Sequence, residues 1–400
     1  WLENDPNLVA PQLWAGRMRF DAADARRLGC TGLIGIHWRT KVLAPNVSAL
    51  ATASWKLDMK KPPVASDPHL PALREVAAPA PRAGRARFLP VEAFYLDFAR
   101  AHFGEEVSAA AGRIFARIDG VALPEPSTWK DGPGAIKAEK VDVEKRYRFV
   151  DELGELRSRV RGPGNIARFD DWLGTFRFMK AMAQVGDLRA RLGEAVGGLA
   201  KEPDPDRRRA LAQEALALRV ELARAWERMV TFLLTVVDSP GELGTLANLE
   251  QHTRLRLRFL DAYDGELEAA LGRPLPPETA LSKSYAGPAR LLVPTVRTLA
   301  RPGESLAIRA MVLTPEDGRG QAAAPSLVMH WRPLGKGAFA SAPLRLVSRR
   351  VYQGALPPVP EGTFALEYYL EAREGNRRLF WPASAPELPQ TVVAAPAGIP

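Results

Sequence analysis

Six polar or aromatic side chains near the N-terminus are of the types that sugar binding and acid–base chemistry use. They are Trp1, Glu3, Asp5, His37, Trp38 and Arg39. A carboxylate can transfer a proton or accept a hydrogen bond from a hydroxyl group. An indole gives a flat apolar surface for a sugar ring, and a guanidinium pairs with carboxylate or phosphate. An ordinary loop with a hydrogen-bonded core histidine and a surface arginine would read the same way. Both interpretations stay open at this point.

The apolar run from Gly29 to Ile36 is the element that must position the second group. Glycines bound it and it ends in large polar side chains, which is typical of a buried parallel strand opening into a site. On a strand Ile34 and Ile36 share one face, predicted to be covered by helices, while His37 and Arg39 share the other. If Glu3 and Asp5 follow a neighbouring parallel strand, both groups lie on one C-terminal rim.

Helical periodicity flanks this predicted strand on both sides. Apolar residues recur at helical spacing from Pro11 to Leu28, with Gly29 as a C-terminal stop, and a second helix is predicted from Pro45 to Trp55. These elements make up only a fraction of a (β/α)8 barrel. We therefore expect residues 1–60 to be its last βα units, with the other strands upstream of Trp1 and no turnover by this chain alone.

The composition and hydrophobic periodicity of the rest of the chain change twice. Residues 61–90 are rich in proline and alanine and predict a linker, residues 91–285 predict a helical domain, and residues 286–400 predict an Ig/fibronectin-like antiparallel β-sandwich. Long helices are expected at 146–160, 164–200, 206–237 and 240–271, packed as antiparallel neighbours. The alternating segments are Arg290–Leu299, Ser305–Leu313, Ser326–Pro333, Leu344–Leu356, Thr363–Ala372, Arg378–Trp381 and Gln390–Val393.

Three residues of the helical region are weaker site candidates. Trp129 precedes a turn-forming Asp-Gly-Pro-Gly stretch that could reach over a cleft or be only a tight turn. Glu250 shares a predicted apolar face, so its carboxylate must be paired or face a cleft, and a structural link between helices is favoured. His252 is expected at the surface or behind the site. We predict that Ser239 and Glu242 form a capping box around Pro240 at the start of that helix.

Composition narrows the function classes. The 400 residues carry a net charge of +9, but the excess consists of scattered arginines without a lysine-rich block or a nucleic-acid motif. The single cysteine, Cys30, excludes an internal disulfide and cysteine-cluster metal sites, and a small buried side chain is expected there. No apolar run has the ~18 residues of a membrane span, and no phosphate-binding loop, zinc helix or nucleophile elbow occurs. No cofactor or metal is expected.

Several stretches resemble the C-terminal part of bacterial TIM-barrel glycoside hydrolases of the β-hexosaminidase/α-glucuronidase-like type. They are Trp1-Leu-Glu-Asn-Asp-Pro, the segment Gly29–Thr40 with Ala-Pro-Asn-Val-Ser-Ala-Leu after it, Phe94-Tyr-Leu-Asp-Phe-Ala-Arg, Ser239-Pro-Gly-Glu-Leu-Gly and Gly287-Pro-Ala-Arg. The resemblance implies hydrolysis through an oxocarbenium-like transition state. Catalytic carboxylates in such enzymes usually sit on middle strands, which are absent here. The resemblance therefore favours substrate contact by His37, Trp38 and Arg39.

The preferred interpretation is the C-terminal portion of a secreted or periplasmic bacterial glycoside hydrolase, acting on a carbohydrate through rim residues of its cleft. The alternative is a non-enzymatic carbohydrate- or protein-binding module of helices and sandwich. A helical nucleic-acid-binding domain is a third option, which a continuous basic face on residues 146–237 would favour. Nucleic acid is not expected as a partner, and no membrane-spanning segment is expected. The sequence leaves the oligomeric state open.

Overall fold

The computed structural model describes most of the chain outside the N-terminal loop and the proline-rich stretch. The described residues are 2, 11–37, 41–56, 90–121, 123, 135–238, 240–282, 285, 287–301, 303–315, 324–360 and 362–395. The chain divides into two compact units. One comprises Trp1–Lys137 with Asp151–Val160, and the other comprises Ala138–Val150 with Arg161–Pro400.

The described residues contain ten α-helices and several shorter helical turns. The helices are α1 (Ala15–Arg27), α2 (Ala44–Lys56), α3 (Glu92–Phe103), α4 (Glu105–Ile118), α5 (Val143–Arg146), α6 (Arg148–Leu156), α7 (Pro163–Leu199), α8 (Pro205–Val236), α9 (Pro240–Asn248) and α10 (Asp264–Leu271). Among the helices that can be described, none is both long and apolar enough to cross a lipid bilayer.

The two predicted N-terminal helices are confirmed. Helix α1 begins at Ala15, four residues later than the prediction, and ends at Arg27. Gly29 has φ 74°, the left-handed conformation that glycine adopts at a helix C-terminus at little cost. Helix α2 covers residues 44–56, one residue beyond the prediction at each end.

The strand predicted through Ile36 is wrong for the residues that can be described. Residues 30–37 lie in no strand, and Ile36 makes one backbone contact of ladder type, accepting a hydrogen bond from Leu2 N–H. Ile34 is 85% exposed and Ile36 is 45% exposed, so the outer face expected under helices is uncovered. Cys30 is exposed rather than buried. No described segment pairs with this apolar run along its length.

The second unit is built on two long helices that pack antiparallel, as predicted. A Cβ on Gly174 of α7 would lie 2.7 Å from Thr235 Oγ1 and 2.7 Å from Val236 Cγ1 of α8, so a larger residue would have to displace these side chains. At the other end Ala195 of α7 and Leu218 of α8 line the same groove. Asp204 caps α8 by accepting hydrogen bonds from the N–H groups of the first turn.

The single helix predicted over 240–271 is broken into three pieces. Helix α9 begins at Pro240 as predicted, a π-helix covers Leu249–Leu255, and α10 follows at Asp264. Between the last two, Arg258 has φ 48°, which a continuous helix cannot contain. Glu242 accepts a 2.8 Å hydrogen bond from the backbone N–H of Asp238. Ser239, the other member of the predicted capping box, lies outside the described residues.

The C-terminal region forms two mostly antiparallel sheets, close to the predicted segments. The strands are β1 (Arg290–Leu292), β2 (Leu299–Ala300), β3 (Leu306–Leu313), β4 (Ser326–Pro333), β5 (Ala340–Pro343), β6 (Arg345–Ser348), β7 (Val351–Leu356), β8 (Ala365–Glu374), β9 (Arg377–Trp381) and β10 (Gln390–Ala394). One sheet has the order β1-β3-β7-β6. The other has the order β2-β10-β8-β4-β5, with β9 also paired to β8.

Both sheets contribute to one cluster of buried side chains. Strand β3 provides Ile308 and Val312, β4 provides Met329, and β8 provides Tyr368 and Leu370. The named positions on β3 and on β8 are separated by even numbers of residues, as expected when one face of a strand is buried. The opposite face of β8 is therefore directed away from this core.

Candidate functional site

The predicted rim is only partly within the described residues. His37 is half-buried at the end of the segment that follows α1. The other five residues of the predicted rim lie outside the described residues. These are Glu3, Asp5, Trp38, Arg39 and Trp1. The structure does describe residues on either side of them.

The backbone beside Glu3 and the backbone beside His37 are adjacent. The N–H of Leu2 donates to the carbonyl of Ile36 at 2.9 Å. A Cβ on Gly35 would lie 3.1 Å from Leu2 Cδ1 and 3.1 Å from Leu50 Cδ2, tighter than ordinary packing, so glycine favours this close approach. Glu3 follows Leu2 in the sequence and His37 follows Ile36.

Asn46 holds the backbone on both sides of residues 3–10. Its Nδ2 donates to the carbonyl oxygens of Leu2 at 2.9 Å and Gln12 at 2.7 Å, and its Oδ1 accepts from the N–H of Trp14 at 2.8 Å. The side chain is fully buried. Three bonds from one buried amide use most of its hydrogen-bonding capacity and fix its orientation. Asn46 thus joins the backbone at Leu2 to the backbone at Gln12 and Trp14.

Asp119 anchors the N-terminus of α1 in the same unit. Its two carboxylate oxygens accept from the N–H groups of Ala15 at 2.8 Å and Gly16 at 3.0 Å, and Tyr95 Oη donates to it at 2.6 Å. Burial raises the pKa of Asp119, while these three hydrogen bonds oppose the rise. Burial and the Asp119 charge raise the pKa of Tyr95 well above its ordinary value, so the phenol stays a donor. Every partner belongs to the fold, so this carboxylate is structural.

Sequence reasoning did not single out Asn46 or Asp119 as supports. A signal existed for Asn46, since Ala49 and Ala53 share its face at helical spacing and are buried with it. A polar residue on such a face must find partners. No local pattern identifies Asp119, because its backbone partners lie 104 and 103 residues away in the sequence.

Glu250 and His252 both lie in the π-helix of the second unit. Trp226 Nε1 donates to Glu250 Oε1 at 3.3 Å, and Arg254 pairs with Oε2. The carboxylate therefore links α8 to the π-helix, the kind of contact expected of a structural link. His252 is half-buried, and its Nδ1 is shielded from solvent without a hydrogen-bond partner in the described part of the chain. Trp129, the third candidate, lies outside the described residues.

A groove of about 650 Å³ runs along α7 and α8 near the start of α5. Its charged side chains are engaged with one another: Lys140 Nζ bonds Glu194, and Arg191 Nη1 lies 3.6 Å from Asp187 Oδ2. Asp187 Oδ1 also accepts from the N–H of Val141 at 3.2 Å. The groove therefore presents paired charges rather than a free recognition group.

No described group of three or more histidine, cysteine, aspartate or glutamate side chains is placed to hold a metal ion. Near the predicted rim, the described contacts bring together Leu2, Gly35, Ile36 and Asn46. Comparison of the sequence with protein-family models and with curated proteins finds no match.

Proposed function

We propose that the chain is the C-terminal portion of a glycoside hydrolase and contributes rim residues to its sugar-binding cleft. The observation that carries the proposal is the pair of contacts at Leu2, whose N–H bonds Ile36 and whose carbonyl bonds buried Asn46. These contacts support a shared rim for the residues that follow Leu2 and Ile36. A buried amide that fixes both flanks of residues 3–10 suits a segment whose position matters for function.

The residue types at this rim suit recognition of a sugar. Trp38 and Trp1 offer apolar faces for a pyranose ring, while Arg39 and His37 offer donors to hydroxyl or carboxylate oxygens. Glu3 and Asp5 can accept hydrogen bonds from sugar hydroxyl groups, and one of them can take part in proton transfer at the glycosidic oxygen.

The finer architecture belongs to the same proposal. Leu33, Ile34 and Ile36 expose apolar side chains that the neighbouring strands and helices of a complete (β/α)8 barrel would cover. The shared core of the two sheets supports an Ig/fibronectin-like sandwich after the helices. We also propose secretion or a periplasmic location, as is usual for bacterial enzymes that degrade external glycans.

Expression of the product of the complete gene tests the hydrolase proposal. We expect that product to hydrolyse at least one of a panel of aryl glycosides and oligosaccharides. Arg39→Ala should lower kcat/KM by about a hundredfold, as loss of a charge-assisted substrate contact predicts. The matched control is Arg27→Ala, because Arg27 bonds Asp24 on its own helix. An inactive product, or equal losses in the two variants, would refute the proposal.

A second candidate function is a non-enzymatic carbohydrate- or protein-binding module. The observation that favours it is a set of half-exposed aromatic rings, Phe339 and Phe380, beside arginines on the outward face of the second sheet. Binding of a glycan without turnover by the product of the complete gene would favour this function over hydrolysis.

A further inference from the structure

The outward face of the β2-β10-β8-β4-β5 sheet carries charged and aromatic side chains in register. Along β8, Tyr369, Glu371 and Arg373 alternate with core residues, and on β9 Phe380 lies opposite Glu371 while Arg378 lies opposite Arg373. We call these five residues the arginine–aromatic surface. All five belong to one unit and one sheet, so their relative positions are fixed by the strand register.

Glu371 organises the two arginines of this surface. It is only 2% exposed although it faces away from the core, and its Oε1 accepts from Arg373 Nε and Arg378 Nε, each at 2.6 Å. His330 Nε2 lies 3.5 Å from Oε2, too far for a strong hydrogen bond. Burial would raise the pKa of Glu371, but the bonds and charges of the two arginines outweigh it and lower the pKa to about 2. The carboxylate is therefore ionised.

The bonds to Glu371 leave the outer edges of both guanidinium groups available. Each arginine uses Nε, and no described residue accepts a hydrogen bond from the Nη atoms of Arg373 or Arg378. Their side chains are 57% and 54% exposed. Two positive groups directly opposite on paired strands repel each other, and one carboxylate neutralises only half of their charge. An external anion would complete the neutralisation through donors that are already oriented.

Aromatic rings adjoin these donors. The Arg378 guanidinium carbon lies 5.0 Å from the centre of the Phe380 ring, and Tyr369 lies between Phe380 at 6.2 Å and Phe339 at 5.0 Å. Arg332 makes the same two kinds of contact next to Phe339. Its guanidinium carbon lies 4.2 Å from the centre of the Phe339 ring, and its Nε donates to Glu367. The half-exposed rings of Phe339 and Phe380 provide stacking area beside guanidinium groups that are oriented for anion binding.

We propose that the arginine–aromatic surface binds an acidic polysaccharide, with a uronate carboxylate on the free edges of Arg373 and Arg378 and a pyranose ring against Phe380. A planar carboxylate matches the guanidinium fork, and a sugar ring has the apolar face that a phenyl ring accepts. Nucleic acid is disfavoured because Glu367 and Glu371 cancel much of the local charge, whereas nucleic-acid affinity grows with the number of phosphates neutralised. This inference does not rest on the hydrolase proposal, because it concerns a different unit and needs no turnover.

Isothermal titration of the chain with polygalacturonate at low salt tests the proposal. We expect binding that falls by about tenfold or more in Arg373→Gln/Arg378→Gln, since charge-assisted hydrogen bonds are lost. The chain offers a matched control in Arg309→Gln/Arg345→Gln, two exposed arginines that both lie opposite Gln353 on the other sheet and bond no carboxylate of the described residues. The control should bind as the unaltered chain does, and methyl-esterified polygalacturonate should bind at least about tenfold more weakly.

A variant that preserves charge separates orientation from simple attraction. Arg373→Lys/Arg378→Lys keeps both positive groups but removes the planar fork, so it should also lose affinity for polygalacturonate, and it serves if the glutamine variant does not fold. Absence of binding by the unaltered chain, equal losses in the two glutamine variants, or undiminished binding by the lysine variant would overturn the proposal. Tighter binding to single- or double-stranded DNA at the same salt concentration would overturn it too.

Discussion

Removal of the Asn46 side chain is the most direct test of the supports at the N-terminal rim. Asn46→Ala removes three hydrogen bonds from Asn46 to the backbone, those to the carbonyls of Leu2 and Gln12 and the one from the N–H of Trp14. A typical hydrogen bond contributes about 1 kcal/mol net, and a buried group left unpaired costs about 1–3 kcal/mol. We therefore expect a loss of about 3 kcal/mol or more in the free energy of unfolding.

Two further variants make this expectation specific. Asn46→Asp keeps the size of the side chain and the acceptor for Trp14, but it places a carboxylate against two carbonyl oxygens, so it should destabilise at least as strongly as alanine. Ser54→Ala lies at the exposed end of the same helix and should stay within about 0.5 kcal/mol of the unaltered protein.

Urea unfolding followed by fluorescence gives the free energies, and hydrogen exchange of the Trp14 amide gives a local measure. In Asn46→Ala the Trp14 amide should lose its protection, because its acceptor is gone. A loss below about 1 kcal/mol, or an aspartate variant as stable as the unaltered protein, would refute the interpretation of Asn46 as a support.

Two other predictions concern buried charges in the second unit. Arg219 is 4% exposed and bonds both carboxylate oxygens of Asp264, so Arg219→Met should lower the free energy of unfolding by about 3 kcal/mol. Arg228→Ala on the same helix removes only an exposed ion pair, so it should lower that free energy by less than about 1 kcal/mol. Comparable losses in urea titrations of the two variants would contradict this. Because the folded pKa of Glu371 is about 2 and its ordinary value is 4.5, its contribution, on the order of 3 kcal/mol, is present above about pH 4.5 and is lost as the pH falls toward 2. Glu371→Gln should therefore flatten the pH dependence of unfolding between pH 2 and 4.5, and an unchanged slope would show that the two arginines do not depress this pKa.

Periodicity and boundary residues were sufficient for most of the secondary structure. Helices α1 and α2 were predicted because glycine and proline end or begin helices for local steric reasons, and β4 was predicted with its observed bounds from alternation. The helix predicted over 240–271 failed because local periodicity does not reveal a π-helix or the left-handed residue Arg258. The strand predicted through Ile36 failed because an apolar run becomes a strand only when another strand pairs with it.

For the candidate site too, some features follow from the sequence and others depend on the tertiary structure. The residue types near Glu3 and His37 and their order relative to the helices are properties of the sequence, and they are what suggests sugar chemistry. The hydrogen bond from Leu2 to Ile36 and the partners of Asn46 depend on which backbone groups meet in space.

The sequence by itself determined the N-terminal helices and the alternating strand segments, since these follow from side-chain type and spacing within a few residues. Only the tertiary structure decided which buried polar groups satisfy one another. Asp119 bonds the start of α1 across about a hundred residues, and Glu371 is buried on a face that alternation assigns to solvent, where two arginines bond it. Hydrogen bonds require particular atoms at particular distances, and chain closure over long separations leaves no local pattern that encodes them.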